Sequence, residues 1–554
     1  MSRIRACGTR WELLALLTCV LAANVLFIRQ AFHMDDGIYL LLAKNIGHSR
    51  WFPQDVPTHF EGLYVPDLAS TEHPIPITSY YIAMIERLDG GLNEVNLHAG
   101  FLVFPLILAC SMYLLALRYT AHPLLASLSL MFLPAVYVLS HTLMTDIPQL
   151  AFAVLAVALF TEYVEGGNRV CGWLGAASAT IASLISYSSL CLIPLLAAFA
   201  ILKGHRRALK RILILPIVCF GGWLAVSFVH YGRLPPMQLL HFYFLVVHAA
   251  SPVLLMKKSI YIILTAGSVM IFPLALFVTS RKIINAIALL LAGPAIWISG
   301  AWQYSFSGKL LFIVLFCAGT AGIFSAIKET ISGDEDNLFL GIWFVGMLIF
   351  TAGAYMTGSA RYLFGAMPPF VLLFYRRLER QWRVREIYWI AASSLVLALT
   401  LGILISAVDY EFAGMYQEFE SKFRESHKTG QPRVWFAGEW GFRAYLERSG
   451  GEELGRRDDR PRKGDVLAVP AIATPYATLF DERSMILRST YTYRTRFPVR
   501  LLDQASHAGF WSMGWGMLPV SFEWNDSRLE TIRVYEITRG ADSNGETTPL
   551  WYME

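Results

Sequence analysis

Charged side chains are scarce in this 554-residue chain, where Asp, Glu, Lys and Arg together make up only 16% of the residues. A soluble domain carries about 25%, so the composition argues against an ordinary cytosolic enzyme. The 7 cysteines, 41 glycines and 25 prolines are too few for a disulfide scaffold, a collagen-like chain or a disordered one. The hydrophobic fraction is 55%, which is typical of a polytopic membrane protein when the apolar residues fall in runs of about 20.

Several signatures of soluble enzymes are also absent from the sequence. There is no Walker-type P-loop, no Gly-rich dinucleotide motif and no pairing of Cys or His at zinc-ligand spacing. The cysteines all lie in or beside apolar runs, which indicates small apolar side chains rather than metal or redox sites. The net charge of +5 is the small difference between 46 basic and 41 acidic residues. We therefore expect no nucleic-acid partner.

Apolar runs predict about thirteen transmembrane helices, because a chain that crosses lipid must satisfy its backbone hydrogen bonds within each segment. The predicted spans are residues 11–29, 97–117, 122–141, 147–164, 171–187, 189–202, 212–230, 259–279, 283–300, 309–327, 338–356, 361–375 and 387–408. The two spans joined near Ser186–Ser189 also fit one long hairpin or a broken helix. Residues 239–255 are apolar and aromatic, and we expect them to lie in the membrane interface.

Basic residues stand in alternate gaps between these spans, most densely at 203–211 and 376–385. Short basic loops mark the cytoplasmic side of a membrane. This pattern predicts a multi-pass protein of the bacterial inner (plasma) membrane with a cytoplasmic N-terminus. It assigns residues 1–408 to a transmembrane domain, whose loop 30–96 is exported, and residues 409–554 to an exported, periplasmic domain.

The exported tail is richer in charge and contains short strand-like runs at 434–437, 466–469 and 531–537. Between the first two runs, residues 439–448 are typical of a helix, which a following pair of glycines would end. The tail is therefore predicted to be a small α/β domain. Its tryptophans either stack on sugar rings or pack the tail onto the membrane surface; they are Trp511, Trp515 and Trp524.

Two adjacent carboxylates, Asp35 and Asp36, stand at the start of the first exported loop, directly after the first span. Charges at a membrane boundary are costly, so a functional reason is expected. Helix capping is the alternative, because acidic side chains accept hydrogen bonds from the free N–H groups at a helix N-terminus. The apolar residues 39–46 would form that short helix.

Three more polar features fall on the predicted exported side. Glu72 and His73 stand on a turn before two prolines, where they either hold a cation or an anionic group or are simply solvated. Asp146 precedes an apolar run and suits a helix N-cap. Arg361, followed by Tyr362, begins a late span, where a cation opposes the helix dipole. We expect it to have an anionic partner, either phosphate or a carboxylate of the first loop.

Taken in order, these landmarks resemble those of a family of membrane enzymes. The chain is similar over about residues 10–380 to the GT-C class of membrane glycosyltransferases, in particular to the branch of protein O-mannosyltransferases and lipid A aminoarabinose transferases (glycosyltransferase family 39-like). The resemblance implies a GT-C-like fold and a catalytic transmembrane domain. It also implies that a sugar passes from a polyprenyl-phosphate-linked donor to an acceptor on the exported face. Whether that acceptor is a glycolipid, another glycan or a protein stays open.

The resemblance also assigns roles to individual residues. The implied catalytic residues are Asp35, Asp36 and Asp146, with Asp35 as general base. The implied ligands of the donor phosphate are Glu72, His73, Arg361 and Tyr362. Glu72 and His73 are also the candidate ligands of a divalent metal ion, because metal dependence differs within the class. Some relatives carry a lysine where His73 stands, and a neutral histidine holds phosphate less firmly.

Two other functions are compatible with a polytopic chain of this kind. One is a transporter or flippase of a lipid-linked substrate. The low content of charge in the spans and the lack of two-fold internal similarity argue against it. The other is a GT-C-like scaffold subunit that has lost its activity. Substitution of Asp35 separates the enzyme from the scaffold, because only the enzyme would lose turnover while keeping its fold.

Overall fold

The computed structural model of the chain describes residues 2–60, 62–69, 74–91, 93–246, 251–269, 282–426, 432–455, 461–473, 484–524 and 526–539. Helices dominate as far as residue 426, and most strands follow it. In chain order the helices are α1 (Ser2–Val25), α2 (Asp36–Asn45), α3 (Ile77–Asp89), α4 (Glu94–Phe101), α5 (Val103–Tyr119), α6 (Pro123–Met131), α7 (Pro134–Leu139), α8 (Asp146–Gly166), α9 (Arg169–Ile185), α10 (Leu192–Leu202), α11 (Leu209–Tyr231), α12 (Pro235–His241), α13 (Pro252–Val269), α14 (Lys282–Ser299), α15 (Phe306–Ser332), α16 (Glu335–Ala354), α17 (Met367–Gln381), α18 (Val384–Ser426) and α19 (Trp440–Arg448).

Six helical segments among the described residues are long and apolar enough to cross a membrane. They are Glu94–Tyr119, Asp146–Gly166, Arg206–Tyr231, Phe306–Ser332, Glu335–Ala354 and Val384–Glu425. Shorter apolar helices cover Arg169–Ile185, Tyr187–Leu202 and Ile284–Ser299. The polytopic helical architecture predicted from the sequence is thereby confirmed, whereas the number of thirteen spans stays a prediction.

The joint near Ser186–Ser189 is a break between two helices. A 3-10 turn separates α9 from α10, and Gln149 donates a hydrogen bond to the Ser189 hydroxyl at 2.8 Å, which ties the break to α8. The predicted span 122–141 is interrupted as well. Its second helix begins at Pro134, because a proline has no N–H to continue the hydrogen bonding of a preceding helix.

Ion pairs join the helix ends at one end of the bundle. Arg118 Nη2 donates to Asp336 Oδ1 at 2.7 Å, and Lys203 Nζ lies 2.9 Å from the same oxygen. Arg376 Nη2 donates to Asp334 Oδ2 at 2.7 Å. These bases come from three of the gaps in which the sequence concentrates positive charge. The gaps therefore meet at one end of the bundle, as the alternation of basic loops requires.

The last long helix continues past the predicted end of its span. α18 runs without interruption over 43 residues, from Val384 to Ser426, which at 1.5 Å per residue is about 65 Å. That is about twice the thickness of the hydrocarbon core of a bilayer. The predicted boundary between residues 408 and 409 falls inside this helix, so α18 connects the bundle directly to the tail. The division of the chain into 1–408 and 409–554 stays a prediction.

The C-terminal tail contains a five-stranded mixed sheet, so the predicted small α/β domain is confirmed. The strands of the chain are β1 (Thr58–Phe60), β2 (Leu63–Val65), β3 (Val434–Phe436), β4 (Glu452–Glu453), β5 (Val466–Pro470), β6 (Met485–Thr495), β7 (Val499–Arg500), β8 (Leu502–Asp503), β9 (Ala508–Gly509), β10 (Ser521–Phe522) and β11 (Ser527–Ile537). The sheet has the order β4-β3-β5-β11-β6. β3 is parallel to β4 and β5, and β11 is antiparallel to its neighbours. The three strand-like runs predicted from the sequence are β3, β5 and β11.

The first predicted exported loop packs against this sheet through a buried ion pair. Thr58 Oγ1 donates to Glu453 Oε2 at 2.8 Å, and the His59 N–H donates to Glu453 Oε1 at 3.1 Å. Arg443 Nη2 donates to the same carboxylate at 3.0 Å, and both charged side chains are buried. Burial raises the pKa of Glu453, but the charge of Arg443 and the hydrogen bonds from His59 outweigh it and lower the pKa to about 2. The β1–β2 hairpin is thus anchored to the tail.

We expect Glu453→Gln to destabilise the fold by about 3 kcal/mol, because it leaves the Arg443 charge buried without its carboxylate. The folded pKa of Glu453 lies below its ordinary value of 4.5. The pair therefore stabilises the fold above about pH 4.5, and this contribution is lost as the pH falls towards 2. Thermal unfolding of the purified protein in detergent measures both effects, with Glu452→Gln as the control. Equal melting temperatures of the two variants at neutral pH would contradict this role.

Candidate active site

Arg361 brings two carboxylates together at one end of the helix bundle. Its Nη1 atom donates to Asp35 Oδ2 at 2.7 Å and lies 3.9 Å from Asp146 Oδ2. The side chains of Arg361, Asp35 and Asp146 are 12%, 24% and 11% exposed, so all three are largely buried while Asp35 keeps the most contact with solvent. The sequence left the partner of Arg361 open between phosphate and a carboxylate of the first loop. In this structure the partner is Asp35, which lies 326 residues away along the chain.

Asp35 occupies the N-cap position of α2, but its side chain makes no capping hydrogen bond. The preceding residue, Met34, has a φ of 43°, a left-handed conformation that costs a non-glycine residue about 1–3 kcal/mol. The strained turn comes immediately before Asp35, whose carboxylate points to Arg361 instead of to the N–H groups of α2. The capping interpretation of Asp35 is therefore wrong.

Asp36 is fully buried and has both carboxylate oxygens engaged by backbone groups. Its Oδ2 accepts from the His33 N–H and its Oδ1 from the Leu143 N–H, each at 2.9 Å. These bonds tie the segment that carries Asp35 to the turn before α8. Burial raises the pKa of Asp36 to about 7, and the two hydrogen bonds counter only part of that rise. The contacts of Asp36 are those of a residue that positions Asp35, and its catalytic role stays a prediction.

Asp146 is the first residue of α8, and Thr145 takes the N-cap position before it. The predicted N-cap is thus displaced by one residue, although a carboxylate in the first turn is still favoured by the helix dipole. The Thr145 hydroxyl lies 3.3 Å from the hydroxyl of Tyr39. This contact joins the start of α8 to α2, and it keeps Asp146 on the same side of the bundle as Asp35.

Arg361 and Tyr362 lie on a 3-10 segment, Ala360–Ala366, which leads into α17. The Tyr362 ring stacks on the ring of Tyr355 with centroids 3.8 Å apart. Arg361 Nη2 donates to the Tyr362 hydroxyl at 3.4 Å, and the guanidinium carbon lies 5.2 Å from the centre of that ring. Tyr362 therefore supports the guanidinium from one side, so the structure brings this predicted pair of residues together.

A buried lysine that the sequence analysis missed lies close to the same segment. Lys258, on α13, is 1% exposed, and its Nζ donates to the backbone oxygen of Tyr355 at 2.7 Å. Tyr355 is the residue whose ring stacks on Tyr362. A lysine at the predicted exported end of an apolar run goes against the positive-inside pattern, and this is the signal that identifies it.

The predicted phosphate and metal ligands Glu72 and His73 lie outside the described residues. Among the residues that are described, no group of three or more His, Cys, Asp or Glu side chains is arranged to hold a metal ion. Asp35 and Asp146 supply two carboxylates, and both face the cation of Arg361. The divalent metal ion implied at Glu72 and His73 therefore stays a prediction.

A second buried network stands behind Asp35. His33 Nε2 lies 2.8 Å from Asp409 Oδ1, and the indole N–H of Trp511 donates to the same oxygen at 3.0 Å.

Trp511 is buried, so it is not available for stacking on a sugar, whereas Trp524 is 80% exposed. Asp409 directly follows a long apolar run, and a charge so placed is itself the signal for a buried partner.

Residues 72–231 match the family model described as Dolichyl-phosphate-mannose-protein mannosyltransferase. The resemblance to GT-C glycosyltransferases is thereby confirmed. The matched region indicates a membrane glycosyltransferase. It contains Asp146 but neither Asp35 nor Arg361, and it covers less than a third of the chain. No curated protein sequence matches the chain.

Several solved structures are similar in outline. ArnT from Cupriavidus metallidurans, bound to undecaprenyl phosphate, is 14% identical with a TM-score of 0.43 over 83% of this chain and 93% of that one. A second similar structure is the archaeal oligosaccharyltransferase AglB from Archaeoglobus fulgidus, in complex with an inhibitory peptide and a dolichol-phosphate. It is 14% identical with a TM-score of 0.43, and the match covers 80% of this chain and 64% of that one. The arabinofuranosyltransferase AftD from Mycobacteria is 11% identical with a TM-score of 0.43, and the match covers 97% of this chain and 42% of that one. All these scores are below 0.5, so no substrate or site residue carries over from them.

We expect Asp36→Asn to lower the thermal stability of the protein by more than Asp35→Asn does. The two backbone N–H groups reach different oxygens of Asp36. In Asn one of these atoms becomes an NH2 group, which cannot accept, and an unsatisfied buried group costs about 1–3 kcal/mol. The folded pKa of Asp36 lies above its ordinary value of 3.8, so its ionisation opposes folding, and stability falls as the pH rises from about 4 to about 7. Unfolding temperatures across this range measure the slope. Identical slopes in the wild type and in Asp36→Asn would refute the assignment.

Proposed function

We propose that this protein is a glycosyltransferase that moves a sugar from a polyprenyl-phosphate-linked donor to an acceptor at the exported, periplasmic face of a bacterial inner membrane. One observation carries the proposal, namely the meeting of Asp35, Asp146 and Arg361 at one end of the helix bundle. The match of residues 72–231 to a mannosyltransferase family supports the reaction class. The donor lipid, the side of the membrane and the role of Asp35 are parts of this proposal.

Charge balance indicates how an anionic donor would be held. With both carboxylates ionised, Asp35, Asp146 and Arg361 carry a net charge of −1, which by itself repels a phosphate. Arg361 has five N–H donors in a fixed fork, so it can keep Asp35 and still donate to a phosphate oxygen. Lys258 supplies a second cation next to the Tyr355–Tyr362 stack. With Lys258 included, the four charges sum to zero, so the net repulsion of a phosphate is removed, and both bases can donate charge-assisted hydrogen bonds to an anionic head group.

The reaction proposed is a single displacement at the anomeric carbon of the sugar. The acceptor hydroxyl or amine forms the new bond to that carbon and gives its proton to the Asp35 carboxylate, which acts as general base. The bond from the anomeric carbon to the phosphate oxygen breaks, and its electron pair leaves with the polyprenyl phosphate. Arg361 and Lys258 stabilise the charge that develops on the leaving group. Direct displacement of this kind inverts the anomeric centre.

We expect Asp35→Asn to lower turnover strongly without unfolding the protein, because an amide cannot accept the proton. General-base catalysis contributes about 100- to 10,000-fold, so release of polyprenyl phosphate should fall by at least the lower figure. Mass spectrometry of reactions with a panel of polyprenyl-phosphate sugars measures this release. Asp89→Asn, an exposed aspartate of the same loop, is the control. Equal release by Asp35→Asn and the wild type would remove Asp35 from the mechanism.

We expect Arg361→Gln and Lys258→Gln each to weaken binding of the donor lipid. Loss of a hydrogen bond to a charged group costs about 1.5–3 kcal/mol, so Kd for polyprenyl phosphate should rise about 10- to 100-fold. Titration of the purified protein with polyprenyl phosphate measures this without any acceptor. Lys257→Gln, on the same helix, is the matched control. Unchanged binding in Lys258→Gln would exclude that lysine from the phosphate site.

A further inference from the structure

The C-terminal domain contacts both segments that carry the charged pair. We call Phe32–Gly37 the Asp35 segment and Gly358–Tyr362 the Arg361 segment. The first follows α1, at the start of the helix bundle in the sequence, and the second lies near the end of the bundle. Both form hydrogen bonds with residues from 409 onwards, so the two sides of the site are connected through one domain.

α19 packs backbone to backbone on the Asp35 segment. A Cβ atom at Gly441 would overlap the carbonyl oxygen of Phe32, and one at Gly37 would overlap the carbonyl oxygen of Trp440. Trp440 itself has a φ of 59°, so a second strained residue marks this contact. The Phe32 N–H donates to the hydroxyl of Tyr445 at 3.0 Å. Glycine at these positions is what permits the close approach.

Trp511 reaches the same segment through Asp409. Its indole N–H and the His33 ring both bond to Asp409 Oδ1, at 3.0 and 2.8 Å, and Gln30 donates to the other carboxylate oxygen at 3.1 Å. All four side chains are buried. In a dry environment such hydrogen bonds are strong and directional, so they fix the chain immediately before Asp35.

Phe510, the neighbour of Trp511, holds the Arg361 segment. The Ala360 N–H donates to the Phe510 carbonyl oxygen at 2.9 Å, and the Met513 N–H donates to the Gly358 carbonyl oxygen at 2.8 Å. Two adjacent residues of the C-terminal domain therefore contact the chain on both sides of the Asp35–Arg361 pair. A domain that served only to bind an acceptor would not need to be tied to both segments.

We infer that the C-terminal domain is a positioning element of the active site, which sets the place of Asp35 relative to Arg361. The inference rests on the proposed function, because Asp35 matters to turnover only if it is the base. A general base must lie within hydrogen-bond reach of the proton that it takes. Misplacement by 1 Å costs about 100-fold in rate. Gly441 and Trp511 therefore influence turnover through Asp35 without touching substrate.

The test uses the full-length protein and two substitutions with matched controls. Gly441→Ala forces a Cβ against the Asp35 segment, whereas Gly414→Ala adds one on α18 where nothing lies within 4 Å. Trp511→Phe removes the indole donor to Asp409 and keeps an aromatic ring, whereas Trp524→Phe changes an exposed tryptophan of the same domain. For each variant we would measure kcat, KM for the donor and hydrogen exchange of the peptide that contains Phe32–Gly37.

The expected result is a fall in kcat of at least about tenfold in Gly441→Ala and Trp511→Phe, since even a sub-ångström shift of the base is costly. KM for the donor should change less than about twofold, because Arg361 and Lys258 still hold the phosphate. Combined with Asp35→Asn, neither substitution should lower the residual rate further. Hydrogen exchange in the Asp35 segment should be faster than in the two controls.

Three results would overturn the inference. One is unchanged kcat and unchanged exchange in both variants. Another is a parallel loss of kcat and donor affinity, which a general loss of structure produces. The third is a further loss of rate on combination with Asp35→Asn. Full turnover by Asp35→Asn alone would instead refute the proposed function, and the exchange measurement, which needs no donor, would still decide whether the domain holds the Asp35 segment.

Discussion

A charge buried in an apolar helix bundle needs a partner, and the pairing of Arg361 with Asp35 and Asp146 is the interaction on which the rest of this structure depends. Leaving any one of the three without an opposite charge would cost several kcal/mol. The pairing therefore fixes three parts of the chain relative to one another: the turn before α2, the start of α8 and the 3-10 segment before α17. The same constraint explains Asp36, whose buried carboxylate is satisfied by two backbone N–H groups.

The two ends of the bundle use charge in different ways. At one end, Arg118, Lys203 and Arg376 pair with acidic residues and hold the helix ends together. At the other end, the charges converge on Arg361 and are covered by the first loop and the C-terminal domain. At this second end, the backbone is strained at Met34 and Trp440, which both have a positive φ. Strain of this kind persists where the surrounding contacts over-determine the backbone, and such places are typical of functional sites.

The C-terminal domain is continuous with the bundle in structure as well as in sequence. α18 crosses the predicted boundary as one helix, and the buried Glu453–Arg443 pair anchors the first loop to the sheet. Although the edge strand β6 was not predicted, the α/β character of the tail was predictable, because strand-like runs mark β3, β5 and β11. Its attachment to the loop was not, since a hydrogen bond between Phe32 and Tyr445 spans 413 residues.

Local patterns also left the roles of the acidic residues undecided. An aspartate before an apolar run suits a helix cap, and the sequence offered that interpretation for Asp35, Asp36 and Asp146. The structure gives Asp35 no cap, turns Asp36 towards His33 and Leu143, and makes Asp146 the first helical residue. Lys258 was missed because it stands beside Lys257 before an apolar run, and the sequence does not show which of the two lysines is buried.

The sequence by itself determined the features that depend on composition and on short-range order. These are the helical membrane architecture, the α/β tail and the gathering of Asp35, Asp146 and Arg361 on one predicted side. Run length and periodicity are local properties, so they can be read directly from the chain. Only the tertiary structure decided which carboxylate meets Arg361, which one is buried and which domain holds them. These outcomes depend on contacts between residues hundreds of positions apart, which no local pattern encodes.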